Sequence, residues 1–243
     1  ILQFGVVATD LYYDMLNLGL RVAPAGGSDY PYIDLPGAAR SYVRIDGGFS
    51  TDAWYAGLRA GRTFVSNGPL LDLDVDGAGI GEDIRVLPGG KVTIQAGARM
   101  NPDLDRLDRI ELVVHGEVVA RATSADGSQE LRLEHTLMPA HGAWLAVRAY
   151  GKGLAAAHSA PVYVHVGDSD ATFAPAAVPG LVARYIGLLD AALATRPAPH
   201  EDLEHWETGP ELLRQWDAQL PELRVHAAKA RARLEAIRAD AAR

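Results

Sequence analysis

The sequence predicts a multidomain protein of the α/β plus all-β class, with a helical region at its carboxyl end. Two changes in hydrophobic periodicity indicate this organisation. Helical and strand-like patterns alternate over residues 1–69, apolar and polar residues alternate one by one over residues 70–168, and the helical period returns over residues 169–243. We therefore expect three regions with these boundaries.

The first region begins with strand-like residues and continues with a short amphipathic helix. From Thr9, the segment TDLYYDMLNLGL places Leu11, Met15 and Leu18 on one helical face, and Gly19 is expected to end the helix. The next stretch, RVAPAGGSD, predicts a buried strand that runs into a Gly-Gly turn, and SYVRI predicts another strand.

A second helix is predicted after Ser50, in the segment STDAWYAGLRAGRTFVSNGP. A serine or threonine caps its amino end, Trp54 and Leu58 share one face, and Gly61 ends it. The strand RTFVS and an Asn-Gly-Pro turn follow. Because helices and strands alternate as far as Pro69, we expect a parallel α/β sheet or barrel in this region.

The second region consists of short runs in which apolar and polar residues alternate, separated by Gly, Asp, Asn or Pro. No helical pattern lies between these runs. The pattern predicts an immunoglobulin-like antiparallel β-sandwich of roughly seven strands. The runs are LLDLDVDG, KVTIQAGAR, RIELVVHGEVVARAT, QELRLEHTL, AWLAVRAYG and APVYVHVG.

Beyond Gly167 the pattern is helical. The segment GLVARYIGLLDAALATR carries one apolar stripe, a polar connection follows, and Pro221 is expected to open the last helix at its first position. The basic residues of that helix lie mostly off its apolar stripe, which indicates a solvated face; a partner-binding surface is the alternative. The stripe consists of Leu223, Ala227, Ala230, Leu234 and Ile237.

The composition excludes several classes of function. A net charge of -8 and a pI near 5.4 argue against a nucleic-acid partner. No apolar run approaches the roughly 20 residues that span a bilayer, so no membrane partner is predicted. Cysteine is absent, which excludes disulfides, thiolate zinc sites and cysteine nucleophiles. The sequence also lacks a G-x-S-x-G elbow and a phosphate-binding loop, which disfavours serine hydrolases and nucleotide triphosphatases.

Asp72, Asp74, Asp76 and Gly77, with Asp83 at the twelfth position, match the spacing of a calcium loop. Such a loop is flanked by helices. Here leucine and valine alternate with the aspartates, so we expect the aspartates on the solvated side of a strand.

The eight histidines form no His-x-His pair and no HExxH helix. Most of them fall in the alternating region, where they are expected to be strand or turn residues rather than metal ligands. His200 and His205 lie among carboxylates in the polar connection, where the cluster could trap a cation, but their spacing is not diagnostic.

Asp29 is the candidate metal ligand. It follows two glycines at the end of the predicted strand, and in an α/β barrel the residues that do chemistry lie at the carboxyl ends of strands. A catalytic metal needs about three protein ligands, so one carboxylate does not suffice. From the residues alone, a turn in which Asp29 accepts backbone N–H bonds ahead of Pro31 is the open alternative.

Five segments together resemble a known family. They are YYDMLNLGLRVAPAGGSDYP, PGAARSYV, TDAWYAGLRAGRTFVSNGPLLDLDVDG, AWLAVRAYG and AHSAPVYVHV, spanning roughly residues 9–166. This succession resembles the carboxyl-terminal half of the carbaryl-hydrolase-like metallohydrolases, a branch of the PHP (polymerase and histidinol phosphatase) superfamily. Its most specific element is GLRAGRTFVSNGPLL.

The resemblance implies a distorted seven-stranded α/β barrel that holds divalent metals, usually zinc, manganese or iron, at its strand ends. A metal-bound hydroxide would then attack an ester, carbamate, amide or phosphate ester in a small-molecule substrate. Asp29 corresponds to a metal ligand of that family. The histidine that often stands two residues later in the superfamily is replaced by Pro31.

The family's His-x-His pair and its other ligands come from earlier barrel strands, which this sequence does not contain. We therefore expect residues 1–69 to form the last part of a PHP-type barrel, and the metal to bind only when the N-terminal strands are present. This chain alone is expected to be inactive. Its exposed barrel edges would associate with the missing N-terminal part or, in a homo-oligomer, with a second copy.

Two further residues are candidates for substrate binding. Arg40 could pair with an anionic group, and Asn67 could donate to an oxyanion or a water. Surface pairing for Arg40 and turn geometry for Asn67 are the alternatives. The alternative to the hydrolase as a whole is a non-catalytic β-sandwich module for binding or assembly.

Overall fold

The computed structural model describes residues 2–3, 6–195 and 209–242. The chain divides into two compact units, Ile1–Ala174 and Pro175–Arg243. The first unit contains the strands and two short helices, and the second is helical. The elements of the first unit are β1 Leu2–Gln3, β2 Val6–Val7, α1 Asp10–Asn17, β3 Arg40–Val43, α2 Thr51–Arg59, β4 Thr63–Ser66, β5 Leu70–Val75, β6 Ala78–Gly79, β7 Asp83–Val86, β8 Val92–Arg99, β9 Leu107–Val114, β10 Glu117–Ser128, β11 Glu130–Leu137, β12 Ala143–Gly151, β13 Ala156–Ser159 and β14 Val162–Val166.

Two sheets form an antiparallel β-sandwich in the first unit, as the alternating pattern predicts. The large sheet has the strand order β10-β9-β12-β13-β4-β3, with β14 beside β12 and β7 beside β14. The small sheet has the order β11-β8-β5-β6. Among the described strands, pairing is antiparallel except between β7 and β14, which are parallel.

The hydrophobic core lies between the two sheets. On β5, Leu71, Leu73 and Val75 are buried, whereas Asp72 and Asp74 are exposed. Asp72 and Asp74 therefore lie on the solvated face of a strand, as expected, whereas Asp76 lies in the turn that follows β5. Facing residues of the large sheet complete the core, among them Ile110, Leu112, Leu145, Val147 and Val162.

β12 departs from the alternation because both of its faces are covered. Leu145 and Val147 pack in the core between the sheets, whereas Trp144 and Ala146 pack with α1 on the outer face of the large sheet. A strand that is buried on both sides has no solvated positions, and the first five residues of β12, Ala143 to Val147, are correspondingly all apolar and buried.

The alternation of helices and strands over residues 1–69 does not produce a parallel sheet. β3 pairs antiparallel with β4, and β4 pairs antiparallel with β13 of the sandwich. The α2 helix connects β3 to β4, and a helix can join antiparallel neighbours as well as parallel ones, so the element order alone did not distinguish the two arrangements. The described residues show no portion of a PHP-type barrel, and they do not divide at residue 69.

The buried strand predicted over residues 21–29 is also wrong. Arg21, Val22 and Ala25 are exposed, and Gly26 makes a single bridge instead of a ladder. The apolar residues of this stretch lie beside no continuous partner strand, and a strand requires one to satisfy its backbone groups.

The α1 helix is confirmed, but its buried face differs from the predicted one. Tyr12, Tyr13 and Leu16 are buried, whereas Leu11 is 56% exposed. The prediction counted aliphatic residues, and the two tyrosine rings bring more apolar area to the outer face of the large sheet. The α2 helix begins as predicted, because the Ser50 side chain accepts a bond from the Ala53 N–H.

The second unit contains α3 Val178–Ala194 and α4 Gly209–Ala241. The predicted stripe of α4 is confirmed, since Ala227 and Ile237 are buried and the other three members are half-buried. The helix does not begin at Pro221, which lies inside it. His200 and His205 lie outside the described residues. No helix among those described is long and apolar enough to span a membrane.

The substitution Gly81→Ala is expected to destabilise the first unit by about 2–4 kcal/mol. Gly81 has a φ of 82°, and a Cβ there would lie 2.4 Å from the carbonyl oxygen of Gly61, so the backbone would have to move. Urea denaturation measures the loss. Gly77→Ala is the control, because Gly77 has a similar φ of 91° but open space around its Cβ position. Its expected cost is about 1 kcal/mol; equal losses at the two sites would contradict the packing argument.

Candidate functional site

Asp29 lies in an exposed loop, residues 26–39, which we call the Asp29 loop. Its backbone is in the left-handed region, with a φ of 51°, and its side chain is exposed. Its carbonyl accepts bonds from the N–H groups of Tyr32 at 2.9 Å and Ile33 at 3.0 Å. Aspartate is one of the few residues that adopt this conformation readily, so Asp29 closes a tight turn through its backbone.

The two ends of the Asp29 loop are joined. The Ala39 N–H donates to Ser28 Oγ at 3.3 Å. Arg40 follows Ala39 in the chain, and Asp29 follows Ser28. Arg40 begins β3, is exposed, and has its Nε beside Gly37 of the loop. The structure therefore brings the predicted metal ligand Asp29 and the predicted substrate residue Arg40 to the same loop stem.

Asn67 lies at the same end of the β3–β4 pair, because Arg40 pairs with Ser66. Its side chain is engaged with the backbone of the turn between β12 and β13. Asn67 Oδ1 accepts from the Ala156 N–H at 2.6 Å, and Nδ2 donates to the Leu154 carbonyl at 3.0 Å. These bonds favour turn geometry, the alternative role of Asn67, and a substrate contact by Asn67 stays a prediction.

The residues around Asp29 do not fit a complete metal centre. A catalytic divalent cation needs about three protein donors. Within residues 2–3, 6–195 and 209–242, no three histidine, aspartate or glutamate side chains lie close enough together to hold an ion. Asp29 would need ligands from outside the described residues.

On the amino-terminal side of the Asp29 loop, α1 is joined to the large sheet by buried polar contacts. The Tyr13 hydroxyl lies 2.7 Å from His158 Nε2, and Trp144 Nε1 donates to Asn17 Oδ1 at 2.9 Å. His158 Nδ1 lies 2.7 Å from the Ser159 carbonyl, which accepts only a donated hydrogen. Nε2 of the neutral ring is therefore an acceptor, and Tyr13 donates to it.

Burial keeps both partners of this contact neutral near pH 7. Burial, with a smaller contribution from the charge of Arg148, lowers the pKa of His158 to about 4. Burial also raises the pKa of Tyr13 to about 12, against the opposing effect of Arg148. The contact is thus a hydrogen bond between uncharged groups in the interior.

A second contact fixes the chain just before the Asp29 loop. Arg21 donates two hydrogen bonds to the Asp83 carboxylate, one of them at 2.9 Å, and its guanidinium lies 4.1 Å from the centre of the Tyr163 ring. His165 Nε2 lies 2.6 Å from Asp83 Oδ1. The hydrogen bond from Arg21 holds the pKa of Asp83 below its usual value, with His165 acting in the same direction. Arg21 is thereby held against β7 and β14.

A buried carboxylate extends the polar network across the large sheet. Glu111 pairs with Arg148 at 2.7 Å, Arg121 at 2.6 Å and Arg109 at 3.1 Å. Burial alone would raise the pKa of Glu111, but the hydrogen bond and charge of Arg148, with the other two arginines, hold it below its usual value. Arg148 also reaches the Tyr13 hydroxyl at 3.4 Å, which links this cluster to α1.

Sequence reasoning missed these contacts. It assigned Asp83 to the last position of a calcium spacing and treated His158 and His165 as ordinary strand residues. Tyr13 and His158 are 145 positions apart, and no local spacing relates them. Their membership of the first and last segments that carry the family resemblance was the one available signal.

Comparison with known proteins gives matches among solved structures. No protein-family model matches the chain, and no curated protein matches it. The fibronectin(III)-like modules of CbhA from Clostridium thermocellum are similar with a TM-score of 0.30 and 18% identity, over 40% of this chain and 96% of that chain. A lytic polysaccharide monooxygenase from Jonesia denitrificans is similar with a TM-score of 0.28 and 13% identity, over 63% of this chain and 92% of that chain. At these TM-scores the similarities carry no argument about function.

Proposed function

We propose that this chain is the carboxyl-terminal portion of a metal-dependent hydrolase, to whose metal centre it contributes Asp29. The reaction is hydrolysis of an amide, ester, carbamate or phosphoester in a small molecule, and the metal is zinc, manganese or iron. The observation that carries the proposal is an exposed aspartate on a loop whose two sides are fastened to one β-sandwich.

The fastening on the amino-terminal side is polar. Tyr13 and Asn17 hold α1 on the large sheet, and Arg21 holds the following stretch on Asp83. On the carboxyl-terminal side the fastening is a strand ladder, because β3 begins directly after the loop and pairs with β4, which pairs with β13. A ligand on a loop needs such support, since metal binding depends on donors being held in position.

The segments that carry the family resemblance make these contacts. Tyr13 and Arg21 come from the first of them, and His158 and His165 from the last. The resemblance thus coincides with the support of the Asp29 loop, which favours a common role for these segments.

In this proposal the region around residues 9–69 adjoins a PHP-type α/β barrel that supplies the remaining ligands. That barrel belongs to another part of the same protein or to a partner copy. Arg40, on the stem of the Asp29 loop, is the residue best situated to meet an anionic group of a substrate.

The substitution Asp29→Asn tests the metal assignment in the gene product that contains this sequence. The wild-type protein is expected to retain divalent metal through gel filtration and to hydrolyse a p-nitrophenyl ester, and Asp29→Asn is expected to weaken metal retention by at least roughly tenfold. Metal content is measured by plasma mass spectrometry. Asp34→Asn is the matched control, because Asp34 lies in the same exposed loop and an asparagine retains the oxygen that accepts the Leu35 N–H. Wild-type metal content in Asp29→Asn would refute the proposal.

The free energy of unfolding of the first unit, which contains the support of the Asp29 loop, is expected to fall as the pH is lowered from 6.5 to about 4. In the unfolded chain His158 takes up a proton near pH 6.5, whereas in the folded chain its pKa is about 4, so acid favours unfolding across this window. From pH 6.5 to pH 5 the loss is about 2 kcal/mol for such a group. Urea denaturation at pH 7.5 and pH 5 measures it.

The substitution His158→Gln is expected to reduce this pH dependence by about half. A remainder is expected because burial also lowers the pKa of His115 to about 4. His226→Gln, at an exposed histidine of α4, is the control and should leave the dependence as it is. An unchanged dependence in His158→Gln would show that the ring is not buried in its neutral form.

A second function, as a non-catalytic module for binding or assembly, is favoured by a different feature of the Asp29 loop. Tyr30, Tyr32 and Leu35 are 62%, 87% and 71% exposed. Exposed apolar patches often mark protein interfaces. The sandwich itself offers no comparable aromatic surface in its described part, since Trp144 and Tyr163 are buried.

If the module assembles with a second copy of itself, the double substitution Tyr32→Ser and Leu35→Ser should convert a dimer into a monomer. Sedimentation velocity over a range of protein concentrations measures the mass. Leu87→Ser is the control, because Leu87 is 79% exposed in a different loop. A wild-type chain that sediments as a monomer at every concentration would exclude self-assembly.

A further inference from the structure

A cavity of about 280 Å³ lies beside Arg21 and takes no part in the proposed function. The stretch after α1, the end of α2, and the turns before β7 and β14 form its walls. Arg21, Arg59, Gly61, Gly81 and Tyr163 line it, and the remaining lining residues are alanine, valine and proline.

The charge that faces this cavity is positive. No carboxylate lines it. Arg21 is neutralised by Asp83, which lies outside the lining, whereas Arg59 forms no ion pair with any described residue and contacts the ring of Tyr55 at 5.8 Å. Arg59 is exposed at the rim, so its guanidinium can turn toward a ligand. An arginine fork matches the geometry of a carboxylate or phosphate.

The end of α2 does not oppose an anion in the cavity. Unpaired carbonyls at a helix carboxyl end repel negative charge. Here the carbonyls of Ala56, Gly57 and Leu58 accept bonds from the N–H groups of residues 60–62. The end of the helix is therefore closed on itself, and these three carbonyls are occupied.

Tyr163 provides a neutral hydrogen-bond donor. Tyr163 is 6% exposed and lines the cavity. Burial raises the pKa of Tyr163 to about 12, so the hydroxyl keeps its hydrogen at neutral pH. A phenol hydroxyl that keeps its hydrogen can donate it to a carboxylate or to a water.

Two glycines with closely approaching backbones form part of the cavity wall. Gly61 and Gly81 have φ values of 72° and 82°, and their backbones approach so closely that a Cβ on Gly81 would meet the Gly61 carbonyl. Gly61 belongs to the segment GLRAGRTFVSNGPLL, of which the proposed function uses only the strand β4. The segment therefore has a role in shaping the wall of the cavity.

We propose that this cavity binds a small organic carboxylate, with Arg59 pairing with the carboxylate, Tyr163 donating to it, and the apolar walls holding a body of a few carbon atoms. The alanine, valine and proline lining favours such a ligand over inorganic phosphate, which has no apolar part. The site consists of residues of this chain alone, so it does not depend on the hydrolase proposal.

The test is a titration of the 243-residue chain followed by ¹H–¹⁵N spectra at constant ionic strength. The amide signals of Gly61 and Gly81 report on the cavity. Butyrate is expected to shift both signals saturably, and its neutral isostere butyramide is expected to bind at least about tenfold more weakly, because a charged pair contributes that much. Inorganic phosphate is expected to bind more weakly than butyrate.

Two single substitutions test whether Arg59 and Tyr163 contact the bound carboxylate. Arg59→Gln is expected to weaken butyrate binding roughly tenfold, and Tyr163→Phe roughly threefold to tenfold, with spectra that remain those of a folded protein. Arg132→Gln is the matched control, since Arg132 is an exposed arginine on β11 of the small sheet, and it should bind butyrate like the wild type. The proposal is overturned if the Gly61 and Gly81 signals show no saturable shift, if Arg59→Gln binds like the wild type, or if butyramide or phosphate binds as tightly as butyrate.

Discussion

The buried hydrogen bond between Tyr13 and His158 is the contact on which the rest of the first unit depends. Both groups lie where water cannot replace a lost partner, and an unsatisfied buried polar group costs about 1–3 kcal/mol. The buried bond between Trp144 and Asn17, one helical turn away, would likewise leave polar groups unsatisfied if it were broken. Together they fix the rotation and the position of α1 on the large sheet, and thereby the point from which the chain enters the Asp29 loop.

Arg21 belongs both to the support of the Asp29 loop and to the wall of the cavity that is proposed to bind a carboxylate. Its bonds to Asp83 hold the chain on β7, and its guanidinium covers the Tyr163 ring that lines the cavity. Because Asp83 neutralises Arg21, the charge available to a ligand comes mainly from Arg59. A ligand in the cavity would therefore bind beside the loop support without breaking its ion pair.

The parts of the fold that follow local rules were predictable from the sequence. The alternation on β5 and the Ser50 cap of α2 each depend on neighbours within a few residues. The direction of β4 depends on β13, about 90 positions later, and the covering of β12 depends on α1. Periodicity contains no information on such partners. For the site, the sequence singled out Asp29 as a candidate metal ligand at the end of a predicted strand that does not form, whereas the His158 and Asp83 contacts exist only once distant strands are paired.

The distribution of carboxylates explains why the described residues build no metal centre of their own. Glu111, the buried carboxylate of the large sheet, is surrounded by three arginines, and a cation there would face three positive charges. Asp83 lies beside His165, a pairing that could suit a metal, but Arg21 occupies both of its oxygens. The fold thus uses these carboxylates to fasten its elements together. Asp29 differs from them in lying on an exposed loop, and the proposed function requires a donor from another part of the protein to approach it there.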